Sequence, residues 1–129
     1  MILQDIYAYL ASDENLAALL GAREGDSKIY PNYAAITCRV PYIVYRSANP
    51  GGSYDEVLSE EQITFVITGE DFSQTAAISA ALTMLLDLSC NVIPSEKHHI
   101  YYGKKIGGSD FVDELGRHSR AINFIFKFK

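Results

Sequence analysis

The histidines are the side chains best suited to metal binding or proton transfer, and two of the three are adjacent, at His98 and His99. The surrounding residues predict a strand over 98 to 104, and neighbouring residues of a strand point to opposite faces of its sheet. The two imidazoles therefore cannot converge on one ion, and His118 could meet one of them only if two strands pair. We predict a surface or interface role for these histidines and no metal site.

Other reactive groups offer equally little chemistry. Asp110, Asp113 and Glu114 lack the alternating oxygen ligands of a calcium loop, so they predict a solvated acidic loop. Cys38 has no histidine or helix N-terminus nearby in the sequence to activate it as a nucleophile. The two Gly-Gly-Ser segments lack the strand–loop–helix setting of a phosphate-binding loop and predict turns. We therefore predict no catalytic residues, no cofactor and no enzymatic activity.

The composition indicates an ordinary globular protein. A length of 129 residues predicts one domain, residues 1–129, and 48% hydrophobic residues can supply a normal core. Eleven basic and sixteen acidic residues give a net charge of −5, which argues against a protein that grips phosphate backbones. With only Cys38 and Cys90, we expect free thiols in a reducing cytoplasm. We expect no secretion signal and no membrane span.

The N-terminal segment predicts helical structure. Leu3, Ile6, Tyr7 and Leu10 lie at i, i+3, i+4 and i+7, which is one face of a helix. Leucines continue this face after Ser12, a residue that can cap a helix, and stop at Gly21. The pattern predicts either one kinked helix or two short ones, followed by an irregular connection over 22–41.

Four strands are predicted. Residues 41–45 and 63–69 form a first pair, antiparallel, joined by a long polar hairpin arm over 48–61. Residues 98–104 form the third strand, and 103–116 a long glycine-bearing loop. The closing strand lies within the last thirteen residues, where Ile122, Phe124, Phe126 and Phe128 alternate with less apolar positions.

The closing strand is longer than the expected diameter of the domain that should cover it. Thirteen extended residues reach about 43 Å at roughly 3.3 Å per residue. A compact domain of this length is only about 36 Å across. We expect that the strand bends or that its end lies against another chain.

The main helix is predicted to begin after Asp71, since Gln74 follows three residues later in a capping-box pattern. Its uncommon feature is a narrow polar stripe with a single charge, formed by Thr75, Ser79, Thr83 and Asp87. Two interpretations stay open. Either the helix is tucked between layers of its own protomer, or this stripe packs on a neighbouring subunit, where charge depletion is expected.

The element order α-β-β-α-β-β predicts an α+β fold with two layers. We expect a mainly antiparallel four-stranded sheet with two main helices packed on one face.

Several short segments, taken in order, resemble the bacteriophage tail-completion family, which is similar to phage tail terminators. They are Leu19-Leu20-Gly21, Ile29-Tyr30-Pro31, Pro41-Tyr42-Ile43-Val44-Tyr45, an alanine-rich helix over 75–82 and the closing strand over 121–128. The resemblance implies a structural protein of the virion, assembled in the host cytoplasm. Such a protein forms a ring, typically a hexamer, that stops tail-tube growth and offers a docking surface to the head. Its implied partners are further copies of itself, the tail tube protein and the head–tail connector.

Two sets of residues are the candidates for these contacts. The predicted subunit interface comprises Thr75, Ser79, Thr83, Asp87, Lys127 and Lys129. The predicted partner-facing or channel-lining loops carry Tyr54, Asp55, Glu56, Lys104, Lys105, Asp110, Asp113 and Glu114. An acidic lining would let DNA pass without specific binding.

Two alternatives remain. A head-closure or connector adaptor of related fold would have the same general features. A small nucleic-acid- or ligand-binding module, using the tyrosine-bearing sheet, would instead bind oligonucleotides with an affinity that falls with salt.

Overall fold

The protein has three helices and a mixed sheet, as seen in a computed structural model that describes residues 2–32, 34, 39–47, 53–54, 59–87 and 90–129. The elements are α1 (Leu3–Ala11), α2 (Glu14–Leu20), β1 (Ile29–Pro31), β2 (Tyr42–Ser47), β3 (Ser53–Tyr54), β4 (Ser59–Gly69), α3 (Phe72–Leu86), β5 (Ile100–Val112) and β6 (His118–Phe128). The predicted α+β class is confirmed.

The N-terminal helical segment consists of two short helices, which settles the alternative left open by the sequence. α1 ends at Ser12, and the carboxylate of Asp13 then caps α2 by accepting the N–H of Leu16 at 2.8 Å. α2 stops at Gly21, whose φ of 68° is a left-handed conformation that glycine adopts without strain.

Within the described residues the sheet has six strands in place of the four predicted. Its order is β1-β2-β4-β6-β5, with β3 paired to β4, and every pairing is antiparallel except β1 with β2. The predicted antiparallel pairing of the strands over 41–45 and 63–69 is confirmed as β2 with β4. The two additional strands have three and two residues, too short for any alternation to indicate them, and β1 contains Pro31, which the sequence favours as a strand terminator.

β5 differs most from the prediction. The segment expected to be a loop from Gly103 onward continues as a strand to Val112 and pairs with β6 along its length. An irregularity in register between Lys105 and Gly107 takes up one extra residue. The hairpin is closed by only five residues, 113–117, so Lys104, Lys105 and Asp110 lie on a strand and not in a loop.

β6 lies in the interior of the sheet between β4 and β5. The predicted alternation is confirmed, since Ile122, Phe124, Phe126 and Phe128 are all at most 2% exposed. Phe128 is covered by its own protomer, where the His98 ring meets it edge-on at 5.2 Å. The apolar side of this strand therefore does not end against another chain.

The helices and one face of the sheet enclose one core. Ile6, Leu16 and Leu82 from the three helices join Phe65 and Phe124 from the sheet in this cluster. In the part of the chain that the structure describes, Glu61 is the buried charged side chain, 1% exposed. Its carboxylate accepts the N–H of Ile2 and the hydroxyl of Ser47 at 3.4 and 3.3 Å. Among the described residues, every buried side-chain nitrogen and oxygen has a hydrogen-bond partner.

Candidate assembly surface

The sheet has one covered face and one open face. All three helices pack on the same face, so the side chains that point the other way meet no helix of the described chain. Across neighbouring strands this open face carries Val44, Val66 and Ala121 in one row, because these residues are register partners. Ile125 lies further along β6 on the same side, and all four are only partly buried. A sheet face without a helix layer, whose apolar side chains are still partly exposed, is the kind of surface that another subunit can bury.

The polar side chains of the open face are paired with each other. The hydroxyl of Thr64 donates to Asn123 at 2.6 Å, and the hydroxyls of Thr68 and Ser119 bond at 3.1 Å. Lys127, a predicted interface residue, lies on this face and forms an ion pair of 3.0 Å with Glu60. A partner could therefore cover this face without leaving the hydroxyls of Thr64, Thr68 and Ser119 unsatisfied.

The polar stripe of α3 points partly inward. Thr75 and Ser79 are 2% and 4% exposed, and the Thr75 hydroxyl donates to the carbonyl of Asp71 at 3.0 Å. These two predicted interface residues are thus covered by their own protomer, as in the first interpretation of the stripe. Thr83 and Asp87 are partly buried, and Asp87 accepts the backbone N–H of Lys105 at 2.8 Å. Asp87 therefore joins α3 to β5 inside the protomer.

The exposed side of α3 is a different row of residues. Ser73, Ala77, Ala80 and Met84 are exposed, and Met84 is 86% accessible. No Asp, Glu, Lys or Arg occurs anywhere from Phe72 to Leu86. A solvent-facing helix side without charge is uncommon, and charge depletion is typical of the centre of a protein interface. The same charge depletion is visible in the sequence, but the exposed row could be chosen only once the packing of α3 was known.

The β5–β6 hairpin is stiffened by an ion pair close to its turn. The guanidinium of Arg120 donates to both carboxylate oxygens of Asp110 at 2.6 and 3.2 Å and lies 5.3 Å from the centre of the Phe72 ring. The hydrogen bond from Arg120 holds the pKa of Asp110 below its usual value, and the same bond raises the pKa of Arg120. Both groups stay charged over the physiological range.

A second pair of the same composition closes the hairpin. Asp113 accepts the Nε–H of Arg117 at 2.8 Å and also the backbone N–H groups of Leu115 and Arg117. Desolvation raises the pKa of Asp113, but the hydrogen bonds outweigh it and the pKa is lowered. Arg117 also lies over the Tyr42 ring at 5.5 Å. Of the three residues of the predicted acidic loop, Asp110 lies on β5, and Asp113 and Glu114 lie in the ordered turn; only Glu114 has no ion pair within the described chain.

The remaining predicted contact residues lie at the surface or beyond the described ranges. Lys104 and Lys105 are exposed on β5, and Lys129 is exposed after β6, where its backbone pairs with His99. The backbone of Tyr54 belongs to β3. Asp55 and Glu56 lie outside the described residues, as does Cys38.

Reactive groups do not converge in the part of the chain that the structure describes. No group of three or more His, Cys, Asp or Glu side chains is arranged to hold a metal ion there. His98 and His99 point to different neighbours, Phe128 and Asn91 respectively. Cys90 is an exposed free thiol.

A cleft lined by tyrosines is the nearest approach to a ligand site. Tyr7, Tyr30 and Tyr45 line an open cavity of about 590 Å³ beside β1. Two of the hydroxyls already have partners, Ser27 for Tyr7 at 2.9 Å and Asp26 for Tyr30 at 3.0 Å. Burial, and then the neighbouring Tyr7, raise the pKa of Tyr45, so its hydroxyl stays neutral. The cleft carries no group of exposed cations that would attract a nucleic acid.

These features define a class of protein, a small α+β domain with one open sheet face, an uncharged helix side and a long exposed sheet edge.

No family model and no curated protein sequence matches the chain. Solved structures do. A chain from the virion of a native gene transfer agent particle covers 95% of this chain over 90% of its own length, with a TM-score of 0.71 and 14% identity. A second structure, with no functional description, has a TM-score of 0.55 at 17% identity and covers 98% of this chain and 95% of its own. The chain thus shares its fold with a protein found in a virion. None of the described helices is long and apolar enough to cross a bilayer.

Proposed function

We propose that this chain is a structural protein of a phage or prophage particle, and specifically a tail terminator. It forms a hexameric ring that caps the tail tube and docks to the head–tail connector at the head-proximal end of the tail. The observation that carries the proposal is the likeness, over nearly the whole of both chains, to a protein of the gene transfer agent virion. The resemblance of short sequence segments to tail-completion proteins points the same way.

The surfaces support a ring because they differ from one another. A closed ring needs a head-to-tail interface, in which one patch of each subunit meets a different patch of the next. The uncharged outer side of α3, around Ala80 and Met84, is one such patch, and the open sheet face around Val66 and Ile125 is the other. In the proposed ring, α3 of one copy covers the open sheet face of its neighbour.

The charges of the protein suit a passive channel. Its net charge of −5 disfavours electrostatic binding of DNA as the DNA passes through the ring. With Asp110 and Asp113 neutralised by arginines, Glu114 and any acidic residue outside the described ranges would supply the repulsion. No enzymatic step is part of this proposal.

The ring is tested by light scattering coupled to gel filtration and by electron microscopy of the purified protein, alone and with tail tubes. We expect a hexameric species that attaches to one end of the tubes. Ala80→Glu places a charge in the helix patch and Ile125→Glu places one in the sheet patch. Both should remove the ring, because each buries an unpaired carboxylate in the interface.

The matched control is Ala8→Glu, the same change at an exposed position of α1, away from both patches. It should leave the ring intact. Circular dichroism must show that all three variants are folded. If Ala80→Glu and Ala8→Glu assemble equally well, the interface is misassigned; a ring that binds head connectors but not tail tubes would identify a head-closure adaptor.

A further inference from the structure

The outer edge of β5 is an unprotected strand edge. β5 ends the sheet and has β6 on one side only. Its first part has other neighbours, because Asn91 donates to the Tyr101 carbonyl at 2.9 Å and Asp87 accepts the N–H of Lys105. From Ile106 to Val112, no backbone group has a partner apart from β6 within the described residues. Such an edge is a template for another strand.

The side chains along this edge favour pairing with another strand over exposure to solvent. Ile106, Phe111 and Val112 are 46%, 43% and 60% exposed. Protected edges carry lysine, proline or free charges at such positions. Here the only charge from 106 to 112 is Asp110, and Arg120 already holds it. The irregularity next to Ile106 limits how far pairing can extend toward Lys105.

The sequence of this segment is complementary to itself. If two copies pair antiparallel with Ser109 opposite Ser109, residues at equal distances on either side face each other. Within the unpartnered edge, the facing pairs are Gly108 with Asp110, Gly107 with Phe111, and Ile106 with Val112.

Each of these pairs is favourable or neutral. Ile106 meets Val112, an apolar cross-strand pair. Phe111 lies across from Gly107, the arrangement in which an aromatic ring covers a glycine on a neighbouring strand. Gly107 and Phe111 both point to the open side of the sheet, as register partners of Asn123 and Ser119, so their facing arrangement is geometrically consistent.

We propose that a second copy of this chain docks on the outer edge of β5, antiparallel and centred on Ser109, to form a two-fold dimer with a continuous sheet. The contact uses the same segment of both copies, so it closes on itself and cannot propagate. It removes the one long unprotected edge described in this protein. It does not depend on the proposed ring, which uses other surfaces and a head-to-tail contact, and it is a form of the free protein.

The test uses charge exchange at the Ile106–Val112 contact, which occurs twice in the proposed dimer. In a homodimer, a chain with Ile106→Glu and Val112→Glu brings two carboxylates together at both ends of the contact, and a chain with Ile106→Lys and Val112→Lys brings two ammonium groups together. Each variant alone should dimerise at least roughly tenfold more weakly than the parent at low salt. An equimolar mixture of the two variants has opposite charges at both ends and should recover a dimer of mixed composition.

Association is measured by analytical ultracentrifugation over a range of concentrations. All chains carry Ala80→Glu, so that the dimer is separated from the proposed ring. Arg23→Glu serves as control because Arg23 is exposed and far from β5 in sequence. Amide hydrogen exchange of the parent chain at high and low concentration should show added protection within 106–112. A monomer up to roughly 100 µM, a mixture no tighter than its components, or protection confined to another segment overturns the proposal. None of these results bears on the ring.

Discussion

Asp110 and Arg120 show at the scale of single residues why acidic groups identified from sequence need not form an acidic surface. Their two-fold hydrogen bond fixes an arginine across the hairpin, and the Phe72 ring supports its other side. Bidentate pairs of this kind define a geometry as well as contributing attraction. The negative charge of Asp110 is therefore directed toward β6 and is not free to repel DNA.

Asp110→Asn should destabilise the protein in a manner that depends on pH. The pKa of Asp110 is lowered in the folded state, so its ion pair contributes stability above the unfolded value of 3.8, and this contribution disappears as pH falls through the lower folded pKa. The variant should therefore melt below the wild type at pH 7, with the difference closing below about pH 3.8. Melting temperatures measured from pH 7 to pH 2.5 check this, with Glu96→Gln as a control carboxyl outside the hairpin. A difference that is constant across this range would mean that the ion pair has no role in stability.

The β5–β6 hairpin shows at the scale of elements how close packing of two strands depends on one glycine. A side chain at Gly108 would collide with the carbonyl oxygen of Ala121, whereas one at Gly107 would meet nothing within 4 Å. Backbone atoms cannot rotate away as a flexible side chain can. Gly108 therefore sets the distance between the two strands, and Gly107 does not.

Gly108→Ala should cost about 1–3 kcal/mol of unfolding free energy, because β5 must shift away from β6 to admit the methyl group. Gly107→Ala is the matched control at the neighbouring position and should be close to neutral. Urea unfolding of monomeric protein at low concentration measures both. Equal stability of the two variants would contradict the close approach at Gly108.

The same hairpin shows which elements the sequence could predict. β6 and α3 were predictable because their signals are local: strict alternation over 122–128 and a capping pattern at Asp71 and Gln74, confirmed by the 2.8 Å bond from the Gln74 N–H to Asp71. The far half of β5 was not, because Gly107, Gly108 and Asp110 have turn-like propensities. They are held in a strand by pairing with β6, and such tertiary pairing overrides local preference.

The candidate surfaces were predictable only in part, for a related reason. The absence of charge from α3 is visible in the sequence and indicates an interface. Which of its sides is exposed depends on how the helix lies on the sheet. The polar stripe suggested Thr75 and Ser79, but the outward row is Ser73, Ala77, Ala80 and Met84. Small hydroxyl side chains can be buried when the helix backbone supplies an acceptor, as Asp71 does for Thr75.

At the scale of the whole molecule, the distribution of charge separates a channel component from a nucleic-acid-binding module. The protein carries a net charge of −5, and three of its basic side chains, Arg117, Arg120 and Lys127, are committed to carboxylates within the chain. Phosphate binding requires several free cations on one surface, since each contact gains by releasing counterions. The tyrosine cleft offers aromatic rings without such cations.

We therefore expect no binding of DNA by either the free protein or the ring. In fluorescence anisotropy with labelled single- and double-stranded oligonucleotides, the anisotropy should not rise up to roughly 10 µM protein at about 50 mM salt. Ordinary non-specific DNA-binding proteins already bind under these conditions. A variant with Glu114→Lys and Glu60→Lys serves as a positive comparison, because it adds cations and frees Lys127. If the wild-type protein binds with an affinity that falls as salt rises, the acidic-channel interpretation fails and the nucleic-acid-binding module becomes the better reading of this fold. If it does not bind while the ring still attaches to tail tubes, the protein assembles through its surfaces and lets DNA pass.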